Sequence, residues 1–173
     1  MKWWREKRCW EFRLQPGFAI DSGQSPAEAG TPNTVSAACA LARQVREKYP
    51  ELRADEIARA LGIEIIIDEW SVAHGRVVYF AECRLRPPQI RLNQTAISIA
   101  AQNAQADSAL TDCMMADWLS EQRIAEIVTA HELYHILAGQ ASSPGSEIAA
   151  HAFARELLHL SFSPQLCEKL LAA

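Results

Sequence analysis

Two histidines stand four apart in "TAHELYHILAG", residues 129–139, with a glutamate directly after the first. Successive residues of a helix are rotated by about 100°, so side chains four apart point within about 40° of each other. His131 and His135 can therefore each turn one imidazole nitrogen toward a single metal ion. Zinc takes neutral imidazole at about 2.0–2.1 Å and, with three protein ligands, keeps one position for water. Glu132 is rotated away from such a metal but can lean over that water and take its proton, which makes it the expected general base. The competing explanation is a pair of core histidines with no metal, and each ring would then need hydrogen-bond partners.

A catalytic zinc site needs a third protein ligand. The following segment, "SEIAAHAFARELLHL" (146–160), offers Glu147 and His151, four apart and on one helix face. A His-His-Glu set would use Glu147, and a three-histidine set would use His151 instead. Glu147 is the favoured ligand here and His151 the alternative; the one not used is placed to orient a ligand from outside. A carboxylate near a helix N-terminus also suits the helix dipole with no metal at all. His159 lies two turns beyond His151 and reaches less easily.

The elements that must hold these groups are legible around them. Ser120 can cap a helix over 120–138 whose face carries Ile124, Ile127, Val128, His131, His135 and Ala138, with Gly139 ending it. Ser143 followed by Pro144 is an N-cap and first-turn pair for a helix over 144–160, and "SFSP" then opens a short C-terminal turn or helix. Upstream, Val35, Ala38, Leu41, Ala42 and Val45 form a helical stripe that Pro50 stops, and "RADEIARALG" is a short helix closed by Gly62. That segment could begin a helix-turn-helix, but the β-branched run after it is a strand, not a recognition helix. Strands are expected over 63–70, 76–83 and 88–93, and residues 94–119 fit either helix or loop. The sum is an α+β domain over 35–173: N-terminal helices, a small three-stranded and mostly antiparallel sheet, and a helical active-site region.

Bulk composition agrees with one folded domain. The chain has 173 residues, 49% hydrophobic and 22% charged, with a formal net charge of −4 that argues against nucleic acid as the main partner. Its opening, "MKWWREKRCWEFR", is basic and aromatic, and "DSGQSPAEAGTPNT" (21–34) is a linker by composition, so 1–34 are expected to be a tail outside the packed domain. A membrane-surface or nucleic-acid role for the tail is the sharper alternative. No apolar run has the length of a membrane span, no export signal follows the first charges, and the five scattered cysteines form no CxxC pair. A reducing cytoplasm is the expected compartment. Tyr134, Trp70, Trp118 and Phe153 are expected to pack, not to act on a substrate.

Three pieces in order resemble the ImmA/IrrE family of zinc metallopeptidases: "LGIEIIIDE…GRVVYF…PPQIRLN" (61–93), "TAHELYHILAG" (129–139) and "SEIAAHAFARELL" (146–158). The resemblance spans roughly residues 52–160, and the pairing of the second and third pieces makes it specific. It implies a zincin-like fold and a zinc-dependent regulatory endopeptidase whose protein substrate is a helix-turn-helix transcriptional repressor. The chain departs from the family where Tyr134 replaces a common glycine. It departs again in the second signature, where Ala149 and His151 stand at the second Glu and the Asn/Asp positions. That altered signature motivates a reading of another class, a catalytically weakened zincin-like module that binds a regulatory or toxin–antitoxin partner.

Overall fold

The structure, a computed structural model, describes residues 12–13, 32–69, 73–74, 77–107, 119–139 and 143–172. Trp70, Trp118 and most of the expected tail lie outside the described residues. Six helices are described: α1 (Pro32–Lys48), α2 (Ala54–Ala60), α3 (Gln94–Ala106), α4 (Glu121–Ala138), α5 (Pro144–Leu157) and α6 (Gln165–Ala172). The strands are β1 (Phe12–Arg13), β2 (Glu64–Asp68), β3 (Ala73–His74), β4 (Val77–Val78), β5 (Ala81–Leu85) and β6 (Pro88–Asn93). The class is α+β, as expected. Among the described residues no helix is long and apolar enough to cross a membrane.

The sheet differs from the expectation of mostly antiparallel pairing. Its order is β2-β6-β5, with β2 parallel to β6 from Glu64↔Gln89 to Asp68↔Asn93 and β5 antiparallel to β6 from Ala81↔Leu92 to Leu85↔Pro88. The sheet is therefore mixed. The chain leaves β2, lays β5 on the far edge, and returns through a turn at 86–87 to place β6 in the middle, where it runs parallel to β2. The expected strand 76–83 is split into the two-residue β4 and the later β5. A second small ladder, β1-β4-β3, takes Phe12 and Arg13 from the expected tail and pairs them with Val78 and Val77. Helix α1 starts at Pro32, three residues before the helical stripe expected from Val35, where a fixed φ and a missing N–H suit a first helical turn.

Alternation sets which face of the sheet is buried. Ile90 and Leu92 of β6 and Ala81 and Cys83 of β5 face the core, while Gln89, Arg91, Glu82 and Arg84 face outward. The buried face packs on α4. Asn93, fully buried, joins sheet and helix: its Oδ1 accepts from Ala96 N at 3.3 Å as the N-cap of α3, and its Nδ2 donates to the Tyr79 carbonyl at 2.9 Å. Residues 94–106, open between helix and loop on sequence, are helical behind that cap, with Ala96, Ile97, Ala100, Ala101 and Ala104 buried.

At the centre is α4, buried without interruption from Glu126 to His135. A helix enclosed on all sides is held by its neighbours more than by one apolar stripe, and here those are α2, α3, α5 and strands β5 and β6. Its ends are set locally. Ser120 Oγ accepts from Arg123 N at 3.4 Å, and Gly139 takes φ +62°, a left-handed position from which its N–H reaches the last carbonyls of the helix. α1 lies along α5, with Ala38, Ala42 and Val45 against it and Arg46 donating to the Glu156 carbonyl at 2.7 Å, a cation at the C-terminal end of α5.

Candidate metal centre

The interior stretch of α4 carries polar groups where apolar ones would pack at less cost. Burying such a group costs roughly 1–3 kcal/mol unless it finds a partner. Thr129 solves this within the helix, its hydroxyl donating to the Ala125 carbonyl at 2.7 Å. His131, Glu132 and His135 are all 0% exposed, and the two imidazoles point toward α5. One turn of helix separates them, and their Nε2 atoms lie 3.2 Å apart.

The third member comes from the first turn of α5. Ser143 fixes that turn: its Oγ accepts from Ser146 N at 3.2 Å, and its own N–H donates to Ser146 Oγ at 2.7 Å, a reciprocal cap followed by Pro144 at the helix start. Glu147 is thereby held with Oε2 3.1 Å from His131 Nε2 and Oε1 3.4 Å from His135 Nε2. Its side chain is 24% exposed, so the cluster has an outlet to solvent on the Glu147 side. Among the described residues, His131, His135 and Glu147 form a group close enough together for one metal ion to be held between them.

Hydrogen bonding alone serves this triangle poorly. Two Nε2 atoms carry at most two protons for three edges, so one edge always lacks a proton between its atoms. A tetrahedral zinc ion with ligands at about 2.0–2.1 Å sets those ligands ~3.3 Å from one another. The two Nε2 atoms stand 3.2 Å apart, and each meets a different oxygen of Glu147, at 3.1 and 3.4 Å; with one ligand atom from each residue, all lie within 4.8 Å of one another, a spacing that one ion can bridge. The donor chemistry, two imidazoles and a carboxylate, is also that of a zinc site with an open position. The residues fit the metal.

Protonation is unequal across the pair. Burial drives the His131 pKa down to about 3, a fall that the hydrogen bond to Glu147 only partly offsets and the nearby His151 and His135 reinforce. Burial also works against the charged form of His135, but the bond to Glu147 and the charges of Glu132 and Glu147 outweigh it and raise its pKa. His131 is thus neutral, as a metal ligand must be. Glu132 sits close enough to His135 for its charge to act on that ring, beside the cluster and not within it.

The other sequence candidates are placed elsewhere. His151 is 8% exposed and its ring centroid is 4.7 Å from that of His131, but its Nε2 faces Glu168 Oε1 at 3.2 Å and not the triangle. His159 lies beyond the end of α5, exposed, in a left-handed conformation (φ 53°) beside Arg46. Ala149, the position of the altered signature, is fully buried in the core, and the cluster takes its carboxylate from Glu147 two residues earlier. Tyr134 and Phe153 pack together with centroids 5.6 Å apart, both buried. Burial raises the Tyr134 pKa, as befits a packed phenol. Glu168 was not singled out on sequence; its only local signal is a carboxylate on a short amphipathic helix.

No protein-family model, curated protein or solved structure matches the chain.

Proposed function

We propose that the chain is a zinc-dependent endopeptidase in which His131, His135 and Glu147 hold the metal and Glu132 is the general base. The observation that supports this most is the convergence of two buried imidazoles from α4 and one carboxylate from α5, with one ligand atom from each lying within 4.8 Å of the others. Zinc, when bound, supplies Lewis-acid chemistry: it lowers the pKa of water and polarises a peptide carbonyl. Glu132 then has the work that needs a proton carrier. It takes the proton from the attacking water as the new C–O bond forms and gives it to the departing amine nitrogen as the C–N bond breaks. His131 and His135 are locked by the core around α4, so neither ring needs to reorganise during the reaction.

The resemblance to ImmA/IrrE metallopeptidases supports a narrower reading, a zincin-like, cytoplasmic regulatory protease whose substrate is a helix-turn-helix repressor protein; the formal net charge of −4 supports action without direct contact to nucleic acid.

The test combines metal analysis with cleavage. Purified full-length chain is expected to carry close to one equivalent of zinc, and the Glu132→Gln variant is expected to keep it. Against a library of unstructured peptides, Glu132→Gln is expected to lose on the order of 10²–10⁴-fold in rate. Zinc absent even after reconstitution overturns the metal centre. A zinc-loaded chain whose partner function is unchanged in Glu132→Gln overturns the protease and leaves the partner-binding module.

A further inference from the structure

The imidazole left out of the triangle has surroundings of its own. The rings of His151 and His131 lie 4.7 Å apart and are tilted by 60°, close enough to be in contact. On its other side His151 Nε2 meets Glu168 Oε1 at 3.2 Å, with side-chain exposures of 9% and 15%. Glu168 belongs to α6, an element that contributes nothing to the triangle itself. α6 is docked independently: Cys167 and Leu170 are in the core, and Asn103 of α3 donates to the Leu170 carbonyl at 2.7 Å. Glu168 therefore occupies a position that α3 and α6 fix, and His151 spans from there to His131.

An imidazole on a helix retains rotation about its side-chain bonds, and a metal ligand is useful only in the orientation that presents its nitrogen. The ring of His151 blocks part of that rotation for His131. Its own ring is held in turn by Glu168. We propose that Glu168 and His151 are positioning residues that keep His131 Nε2 directed at His135 and Glu147, so that metal affinity depends on the docking of the C-terminal helix. This deepens the metal-centre reading and rests on it.

Cobalt(II) replaces zinc as a visible probe, and the full chain is titrated with it while absorption and affinity are followed. Glu168→Ala and His151→Ala are expected to bind cobalt about tenfold more weakly or worse, with an altered visible band for the bound ion. Lys169→Ala, exposed on the same turn, is expected to leave both unchanged. Glu168→Gln keeps an acceptor oxygen and is expected to recover most of the loss. Wild-type affinity and spectrum in Glu168→Ala and His151→Ala would overturn the positioning role, as would a loss traced wholly to a smaller folded fraction. Should Glu168→Ala fail to fold, His151→Phe keeps a ring against His131, removes the bond to Glu168 and carries the same comparison. A wild-type chain that binds neither cobalt nor zinc overturns the metal centre and this role with it; variants that bind as wild type overturn this role alone.

Discussion

On the outer face of the sheet, Arg91 lies between Asp68 and Glu82, and Gln89 donates to Glu64. Between α4 and α5, Glu147 lies between His131 and His135. Both are short polar networks of carboxylates and nitrogen groups, but their settings differ. The sheet network is wet: Arg91 is 29% and Asp68 43% exposed, so water screens each pair and the geometry is free to vary. The helix network has its two rings at 0% exposure, where a misplaced group costs far more and positions are held by packing. The sheet's permanent cation is a guanidinium supplied by the chain. The triangle is built of groups whose chemistry is that of metal ligands, with no cation supplied by the described residues between them.

That contrast is open to attack from both sides, and the largest effect is expected at the triangle. His135→Ala should abolish stoichiometric zinc binding, a loss beyond the roughly 10–100-fold that changes around a metal site produce; elemental analysis reads it directly. Retained zinc in His135→Ala would place the metal elsewhere. Ser143→Ala comes next, since the cap that orients Glu147 is remote from the rings. It should lower stability by about 1 kcal/mol in denaturant unfolding and weaken zinc as well, whereas an equal loss of stability with unchanged zinc affinity would separate cap from site. Arg91→Met should cost less than about 1 kcal/mol and leave zinc untouched. The smallest effect concerns acid. The side-chain bond to Arg91 is the main cause holding the Asp68 pKa below its ordinary value, so its contribution is present above the usual carboxylate range and is lost as pH falls through that lowered pKa. Asp68→Asn should flatten the stability–pH curve slightly in that acid window and nowhere else.

How much of this could be read from the chain alone depended on how local the cause was. The ends of α4 were legible because Ser120 and Gly139 carry their own reasons: a hydroxyl that caps, and a residue that accepts φ +62°. The same holds for Ser143 and Pro144. Sequence favours Glu147 over His151 but does not close the choice, since both sit on one helix face; in the structure what separates them is Glu168, brought to His151 by the packing of α6. The parallel pairing of β2 with β6 was equally out of reach, because strand order is a property of the whole path and not of any strand. Residues 94–119 fit helix or loop on sequence because the signal that makes 94–106 a helix, the capping role of Asn93, reads there as the last residue of a strand.

The unbroken burial of α4 has a consequence for exchange with solvent. Amide protons in a helix enclosed on every side cannot meet water by local fraying, so those from Glu126 to His135 should exchange only when the whole domain opens. Their exchange rates in deuterated buffer would then report the global unfolding free energy, while amides of the exposed strand end around Ile67 exchange by smaller motions. The slowest clock in the protein would be its most chemically equipped segment.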